Sequence, residues 1–361
     1  MEKKKLKIAF VSFFSGGINR GGEVFIHELA KRLSEKHDVT VYQAGPKENK
    51  VNYKTIKSEI ILDWDKKDMA GTLARRWFMD YWSRKIAIHT LKIFPKLMKN
   101  KYDIVLPLNG GWQCALVRLA TWLSGAKMVI SGQSGIGWDD RNNLWSFPDY
   151  FVAISKLAQV WAKKAMPLVK TTYIPNGVDL ARFSPQGRKY KHSLMHPVVL
   201  TVNALVPCKR VDLVIDNVSR LNHYQLLVVG NGYLKNELTK LGRAKLGDRI
   251  EFVSVEHSAM PSVYRSADVF VFVPLESEAF GIVLVEAMAS GLPIVTIDDP
   301  IRREIVGDAG VFINSENKED FTHEITKALE TNWGEKSRNQ AMRYSWDIVV
   351  SEYEKLFIKI I

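Results

Sequence analysis

Cysteine is scarce in this sequence of 361 residues, which contains only Cys114 and Cys208. The two lie far apart and in no spacing typical of metal ligands, which argues against a disulfide framework and predicts a reducing cytoplasm. Long apolar runs are also lacking, because no run reaches the roughly 18 to 20 residues that cross a bilayer. We therefore predict no membrane span. Without a cluster of histidine and cysteine, we predict no metal site either.

The composition is typical of a folded protein, with 46% hydrophobic and 25% charged residues. The length predicts about two domains. The formal net charge of +12 is unevenly distributed: residues 1–185 hold 30 Lys and Arg against 16 Asp and Glu, and residues 186–361 hold 21 against 23. The first half is therefore expected to face something anionic, such as lipid headgroups, phosphorylated acceptors or nucleic acid.

Short β-branched runs alternate with helical patterns along the chain, which predicts parallel sheets flanked by helices. The segment PNGVDLARFSP, residues 175–185, is rich in turn formers and predicts the domain boundary. The predicted fold class is α/β, with two doubly wound, Rossmann-like domains. Strands are predicted at Lys7–Phe13, Val39–Gln43, Asp103–Leu108, Lys127–Ser131, Tyr150–Ile154, Thr171–Ile174, Val198–Asn203, Gln225–Val229, Ile250–Val255, Val269–Val273, Ile294–Ile297 and Val311–Ile313.

The loop after the first strand, SGGINRGGE, contains the paired glycines Gly16, Gly17, Gly21 and Gly22. They bring bare backbone to the carboxyl end of a strand, where open α/β sheets bind ligands. The spacing does not match the dinucleotide pattern G-x-G-x-x-G, and Gln43 ends the second strand where an acidic ribose ligand would be expected. A tight turn that binds no ligand is the alternative.

Residues 75–101 combine basic and aromatic side chains, with eight Lys and Arg against the single acid Asp80. Pro95 is expected to kink or restart the helix predicted there. Such a segment could lie on an anionic membrane surface. The alternative is a helix packed on its own domain with a solvated lysine face.

The segment GQSGIGWDDRNNLWSFPD, residues 132–149, follows a predicted strand and is interpreted as a binding loop because it is polar and glycine-rich. Trp138, Trp145 and Phe147 could stack on sugars. Asp139 and Asp140 could bind acceptor hydroxyls or could pair with Arg141, and the sequence does not decide between these alternatives.

Three strand-end loops of the second half carry candidate ligand groups. Lys209 and Arg210 precede a predicted helix where they could meet phosphates, with solvated surface charge as the alternative. Gly230 and Gly232 would allow close approach by a ribose or diphosphate. His257 follows the third strand, where a nucleotide base could lie, although a capping or surface role is favoured over a catalytic one.

The stretch PLESEAFGIVLVEAMASGLPIVT, residues 274–296, predicts a strand end, an acidic loop, a helix beginning near Phe280 or Gly281, and another strand. Glu278 lies in the loop and Glu286 on the helix. Carboxylates accept hydrogen bonds from hydroxyls, and the amides of a first helical turn donate to phosphate oxygens. Together with Lys209, this pattern indicates a nucleotide sugar. The alternative is an ordinary βαβ turn whose acids cap a helix.

Several motifs resemble glycosyltransferase family 4, the retaining transferases with the GT-B fold, and the resemblance covers almost the whole chain. They are RGGEVFIHELAKRLSEKHDVTVY, IPNGVDLARFSP, VPCKRVDL, LLVVGNG, SEAFGIVLVEAMASGLPIV and RYSWDIVVSEYEKLF. The resemblance implies two domains that face an interdomain cleft. It implies an N-terminal acceptor-binding domain at 1–180, a C-terminal nucleotide-sugar-binding domain at 181–340, and a helix at 341–361 that crosses back.

The same resemblance implies roles for individual residues. Glu278 would contact hydroxyls of the donor sugar, Glu286 would hold the ribose, and Lys209 would neutralise the diphosphate. The predicted catalytic residues are Glu278, Lys209 and Arg210. The predicted donor-binding residues are Gly21, Gly22, Gly230, Gly232, His257, Ala279, Phe280, Gly281, Ile282 and Glu286. The predicted acceptor-binding residues are Gln133, Trp138, Asp139 and Asp140.

Two positions depart from the family pattern. Ala204 stands where the family usually has an arginine after the first strand of the donor domain. Arg210 could therefore neutralise the diphosphate together with Lys209. Gly132-Gln133-Ser134 stands where the first domain often carries a histidine. The resemblance implies that the leaving phosphate deprotonates the acceptor, so transfer does not require that histidine.

The predicted function is retaining transfer of a hexose from a nucleoside-diphosphate sugar, GDP- or UDP-linked, to a glycan or lipid-linked acceptor hydroxyl. The VPxKRVD pattern resembles that of family members that use mannose from GDP-mannose, which implies the same donor here. A non-catalytic sugar-nucleotide-binding protein is the alternative. The prediction includes no cofactor, no metal and no nucleic acid. It places the protein in the cytoplasm, with residues 75–101 as a possible contact to the inner face of the cell membrane.

Overall fold

A computed structural model describes residues 5–18, 21–46, 51–60, 62–63, 71–314 and 317–361. Two compact units are present, one formed by the chain up to Pro175 together with Asp347–Ile361, the other by Asn176–Trp346. The chain thus divides a few residues before the predicted boundary at 180. The rest of the turn-rich segment belongs to the second unit, where Phe183 is buried.

The first unit contains a parallel sheet with the strand order β3-β2-β1-β4-β5-β6-β7. The order reverses between β1 and β4, so the unit is doubly wound, and ligands of such sheets bind beside the carboxyl ends of the strands at this reversal. The strands are β1 (Lys7–Val11), β2 (Asp38–Gln43), β3 (Lys54–Lys57), β4 (Ile104–Pro107), β5 (Lys127–Gly132), β6 (Tyr150–Ala153) and β7 (Thr171–Tyr173). The helices are α1 (Gly21–Leu33), α2 (Thr72–Arg76), α3 (Tyr81–Lys99), α4 (Trp112–Ser124), α5 (Trp138–Trp145) and α6 (Lys156–Ala165).

The second unit repeats this topology with the strand order β10-β9-β8-β11-β12-β13, which reverses between β8 and β11. Its core is made of aliphatic side chains from the sheet and from the helices that cover it. The strands are β8 (Val198–Val202), β9 (Gln225–Val229), β10 (Ile250–Val253), β11 (Val269–Phe272), β12 (Ile294–Ile297) and β13 (Gly310–Ile313). The helices are α7 (Val211–Val218), α8 (Lys235–Leu246), α9 (Met260–Tyr264), α10 (Ile282–Ala289), α11 (Pro300–Val306), α12 (Lys318–Glu330) and α13 (Lys336–Met342).

The last helix, α14 (Trp346–Ile360), packs in the first unit. The hydroxyl of Tyr353 lies 3.1 Å from the hydroxyl oxygen of Ser131 at the end of β5. Nζ of Lys36 donates to Glu354 at 3.3 Å, and Nε2 of His37 lies 3.6 Å from the same carboxylate. Tyr353 therefore attaches α14 to β5, and Glu354 attaches it to the turn between α1 and β2.

The predicted α/β class with two doubly wound sheets is confirmed, and three local features differ from what the sequence indicated. The predicted binding loop at 132–149 contains the helix α5, and the edge strand β3 was not predicted. Helix α3 continues through Pro95 without a restart. Pro95 and Leu91 lie on the exposed face, where water can hydrogen-bond the carbonyl that loses its N–H partner. Within the described ranges, no helix is both long enough and apolar enough to cross a membrane.

Candidate active site

The loop between β11 and α10 carries most of the predicted donor residues, and a glycine sets its geometry. Gly281 adopts φ +88° and ψ +70° directly before α10. This left-handed backbone favours glycine, and a Cβ at Gly281 would lie 2.9 Å from Cε1 of Phe272. The helix that follows is buried along most of its length and fixed against the sheet. Gly281 is therefore required by the fold, whether or not a ligand approaches it.

Lys209 and Glu278 form an ion pair beside the reversal of the second sheet. Lys209 ends a 3₁₀ turn after β8, Glu278 follows the neighbouring β11, and Nζ of Lys209 contacts Oε2 of Glu278. The two loops are also joined by the amide of Leu275, which donates to the carbonyl of Cys208 at 2.9 Å. The two charged side chains keep 17% and 23% exposure. A ligand can therefore meet a cation and a carboxylate side by side, as a sugar joined to a phosphate requires.

The amides next to Glu278 are free to donate. Among the residues that the structure describes, Ala279, Phe280 and Gly281 find no acceptor for their backbone N–H groups. Ile282 begins α10, so its N–H also lies in the turn that lacks helical partners. The Phe280 ring is buried edge-on against Tyr344, with the centroids 5.9 Å apart. This packing fixes the backbone that carries these amides.

Glu286, on α10, is held by a hydrogen-bonded network. The hydroxyl of Tyr264 donates to Oε2 at 2.8 Å, and Nε2 of His257 lies 3.2 Å from Oε1. The guanidinium of Arg182 donates to Nδ1 of His257 at 3.1 Å, so Nε2 carries the proton directed at Glu286. Burial and then the charge of Glu286 raise the pKa of Tyr264 well above its usual range, so the phenol remains a donor. Each carboxylate oxygen has a second lone pair that a ribose hydroxyl could use.

Arg210 lies in the left-handed region, with φ +52°, between the 3₁₀ turn and α7. It borders a cavity of about 740 Å³ at the carboxyl ends of β11, β12 and β13. Glu276 and Ser277 of the Glu278 loop lie on one side of this cavity and Asn314 on another. The cavity therefore adjoins the Lys209–Glu278 pair, and its volume suits a small-molecule ligand.

Gly230 and Gly232 pack closely against the loop after β8. Gly230 has φ +147°, and a Cβ there would overlap the carbonyl oxygen of Asn203. A Cβ at Gly232 would overlap the carbonyl oxygen of Leu205. Both glycines are therefore required by backbone packing, and their predicted contact with a ribose or diphosphate stays a prediction.

The predicted residues of the first unit lie beside two of its strands. Gly21 and Gly22 begin α1, and a Cβ at Gly22 would make only ordinary contact with Leu108, at 3.5 Å. Gln133 follows β5 and donates from Nε2 to the hydroxyl of Ser131 at 2.8 Å. Trp138 begins α5, where its indole N–H donates to the carbonyl of Arg76 at 3.0 Å and the Arg76 guanidinium lies 4.5 Å from the ring centroid. One face of the Trp138 ring is thus covered.

Asp139 and Asp140 lie in different surroundings within α5. Asp139 is exposed, and partial desolvation and then the charge of Asp80 raise its pKa. Asp140 is buried and accepts hydrogen bonds from Nδ2 of Asn143 at 2.9 Å and from backbone groups of 134–135. In the described part of the chain neither carboxylate pairs with Arg141, so that alternative is wrong. Burial raises the pKa of Asp140 to about 7.

The substitution Asp140→Asn is expected to remove a pH dependence of stability. Between pH 3.8, the ordinary value, and pH 7, the folded protein keeps a proton that the unfolded chain has lost, so the unfolding free energy falls as the pH rises. The stability of the variant relative to the wild type should be greater at pH 8 than at pH 5 by roughly 2–4 kcal/mol. Urea unfolding of both proteins at pH 5 and pH 8 measures their free energies of unfolding. An equal difference between variant and wild type at the two pH values would contradict the prediction.

Two family models match the chain. The model described as Glycosyltransferase Family 4 matches residues 19–182, and the model described as Glycosyl transferases group 1 matches residues 185–345. The chain belongs to glycosyltransferase family 4. This confirms the resemblance noted in the sequence and supports the predicted class of enzyme.

Relatives of this family 4 chain include a phosphatidyl-myo-inositol mannosyltransferase of Mycolicibacterium smegmatis, 29% identical over 219 residues. That alignment covers 57% of this chain and 56% of the relative. The O-antigen biosynthesis glycosyltransferase WclY of Escherichia coli is 26% identical over 227 residues, which cover 60% of this chain and 63% of that protein. The matched segments thus span little more than half of these relatives.

The fold of this family 4 chain matches a solved structure over nearly its full length. Anabaena Alr3699/HepE, crystallised with UDP and glucose, aligns with a TM-score of 0.76 and 17% identity, covering 98% of this chain and 100% of that one. The likeness confirms the predicted GT-B fold.

The sequence analysis did not identify four residues that support the site. Tyr264 and Arg182 support Glu286 and His257, and Asp299 and Arg302 lie behind the Glu278 loop. The Asp299-Pro300 pair is a helix-start signal that could have located α11. No signal in the sequence separates the buried Arg302 from the exposed Arg303 beside it.

Proposed function

We propose that this chain is a retaining glycosyltransferase that moves a hexose from a nucleoside-diphosphate sugar to a hydroxyl of a glycan or lipid-linked acceptor. The observation that carries the proposal is the ion pair of Lys209 and Glu278, which lies next to the amides of 279–281, for which the described part of the chain offers no acceptor. A cation, a carboxylate and free amides in one place match the chemical groups of a nucleotide sugar.

Electrostatic stabilisation of the departing diphosphate supplies most of the proposed catalysis. The Lys209 ammonium and the amides of the Glu278 loop donate to the phosphate oxygens as negative charge develops on them. Glu278 orients the donor sugar through its hydroxyls, and Glu286 holds the ribose. The bond from the anomeric carbon to the phosphate oxygen breaks, and the acceptor oxygen attacks from the same face. The acceptor proton passes to the leaving phosphate, so the proposal includes no metal.

The donor is proposed to be GDP-mannose, with UDP sugars as the main competitor. Five of the first six relatives share the name phosphatidyl-myo-inositol mannosyltransferase, which supports mannose as the sugar. The structure of Anabaena HepE with UDP supports the uridine nucleotide instead.

A thermal-shift panel of GDP-mannose, UDP-glucose and ADP-glucose, with the free sugars as controls, tests which sugar nucleotide binds. One nucleotide sugar should stabilise the protein. No stabilisation by any of them would contradict the donor site.

A non-catalytic protein that binds sugar nucleotides is the second candidate function. It is favoured by Ala204 and by Gly132-Gln133-Ser134, which stand where the family pattern has an arginine and a histidine. The two candidates differ in turnover, because only the enzyme breaks the bond to the anomeric carbon. Slow release of the nucleoside diphosphate from the donor that binds best would exclude the second candidate.

An anionic membrane surface is proposed as a partner of the first unit. Helices α3 and α4 pack together, and each exposes apolar side chains, among them Leu91 and Trp122. Lys96 and Lys99 are exposed on α3, and Asp80 and Asp103 are the only acids between residues 71 and 128. Exposed aromatic and apolar groups next to lysines suit the interface of an anionic bilayer.

The double substitution Lys96→Glu and Lys99→Glu is expected to weaken vesicle binding about 30-fold or more, because each lysine near an anionic surface contributes about 1 kcal/mol. The matched control is Lys163→Glu with Lys164→Glu, which changes two exposed lysines of α6 by the same charge. Flotation with phosphatidylglycerol vesicles measures the effect. Equal recovery with neutral and anionic vesicles, or equal losses in both double variants, would count against the membrane surface.

A further inference from the structure

Arg302 is the largest fully buried side chain among the described residues, with an exposed fraction of 0%. A buried guanidinium is strongly unfavourable unless its N–H groups find partners. Arg302 lies in the first turn of α11, a short helix that connects β12 to β13 and that the proposed mechanism does not use. The partners of its guanidinium show what the burial achieves.

The guanidinium bridges α11 and the Glu278 loop. Nε donates to Oδ2 of Asp299 at 2.7 Å, and Nη2 lies 2.7 Å from the same oxygen. Nη1 donates to the main-chain carbonyl of Glu278, also at 2.7 Å. Oδ1 of Asp299 accepts from the amides of Ile301 and Arg302 at 2.9 and 2.8 Å, so the carboxylate is fixed to the start of α11. One end of this bridge is therefore rigid.

We propose that Arg302 is a positioning residue for Glu278, a role that rests on the proposed function. The backbone of Glu278 is held on both sides: its amide donates to the carbonyl of Leu275 at 3.0 Å, and its carbonyl accepts from Arg302. Its carboxylate meets Lys209. Arg302 thus fixes the position of the Glu278 backbone from which the side chain extends. A shift of about 1 Å in that backbone would misplace the carboxylate relative to the donor sugar.

A lysine cannot replace this arginine in the proposed role. The planar guanidinium presents donors in a fixed fork, which lets it reach a carboxylate and a carbonyl at once, whereas an ammonium is a point charge on a flexible stem. Arg302→Lys therefore keeps the positive charge beside Asp299 and loses the bridge to Glu278. Arg303→Lys is the matched control, because Arg303 is the next residue, lies on the surface and pairs with Asp298 at 2.7 Å.

Steady-state kinetics with the donor identified by the thermal-shift panel separate positioning from stability. Arg302→Lys should lower kcat roughly 10- to 100-fold and change the KM for the sugar nucleotide less than about threefold, because the nucleotide still meets Lys209 and Glu286. Each kcat is calculated from the concentration of protein that binds the nucleotide, so that unfolded protein does not lower the value. Arg303→Lys should behave as the wild type. A kcat for Arg302→Lys equal to that of Arg303→Lys would overturn the proposal.

Hydrogen exchange gives a second readout that does not depend on turnover. The Glu278 amide should exchange about tenfold faster in Arg302→Lys than in the wild type or Arg303→Lys, because its hydrogen bond to Leu275 loses support. Asp299→Asn, which keeps a helix-capping oxygen, should act in the same direction and serves if Arg302→Lys does not fold. Unchanged exchange in both variants would overturn the proposal. If the wild type shows no turnover and the Glu278 amide still exchanges faster in the variants, the proposed function is overturned, whereas the support of the Glu278 backbone by Arg302 is upheld.

Discussion

Lys209→Met is expected to lower kcat roughly 100- to 1000-fold, the range for loss of one preorganised group that stabilises developing negative charge. Methionine has a similar length and no charge, so the leaving diphosphate loses its cation while the loop keeps its packing. Glu278 also loses its ion-pair partner, and its carboxylate remains beside the phosphate. Release of nucleoside diphosphate from saturating sugar nucleotide measures the effect.

Two further variants separate this effect from general changes of charge. Lys240→Met removes an exposed lysine from α8 of the same unit and should leave kcat unchanged. Lys209→Arg restores a cation and should recover part of the activity. If Lys209→Met kept kcat within about threefold of the wild type, Lys209 would not stabilise the leaving group.

Gly230→Ala is expected to lower the free energy of unfolding by roughly 3 kcal/mol or more. The new methyl group would meet the carbonyl oxygen of Asn203, whose backbone is fixed directly after β8 by the hydrogen bond from its amide to Val229 and cannot move aside cheaply. The positive φ of +147° adds backbone strain. The melting temperature should fall by about 10 °C for a unit of this size.

Gly334→Ala is the control for that prediction. Gly334 also has a positive φ, +51°, and lies in the same unit, but a Cβ there would meet nothing within 4 Å. Its replacement should cost only about 1 kcal/mol from the left-handed backbone. Equal stabilities of the two variants would show that the close approach to Asn203 does not constrain Gly230.

Strands between clear turn signals were predictable from the sequence, and weakly patterned elements were not. The predicted bounds of β9 and β12 match the structure to the residue, because both are β-branched or aliphatic runs next to glycine or proline. Helix α5 was missed because WDDRNNLW shows no apolar stripe and contains residues that compete with helical hydrogen bonds. The edge strand β3 has no buried face to create an alternation.

The site was predictable where its residues follow strand ends, since the carboxyl ends of parallel strands meet at one edge of a sheet. This reasoning correctly brought Lys209 and Glu278 together. The same reasoning could not find Arg302, because a charged residue is normally predicted to be exposed. Only the tertiary packing shows that this guanidinium is buried. For the same reason the sequence could not show that Arg182 orients the His257 ring.

The most direct test of the account is hydrolysis of the sugar nucleotides by the wild type and by Glu278→Gln. The wild type is expected to release nucleoside diphosphate slowly from one of the GDP, UDP and ADP sugars, because water can replace the acceptor. Glu278→Gln should release almost none, since the amide cannot reproduce the paired carboxylate, whereas Glu237→Gln on α8 should match the wild type. No release from any donor, or equal release by Glu278→Gln, would contradict a donor site built around Glu278.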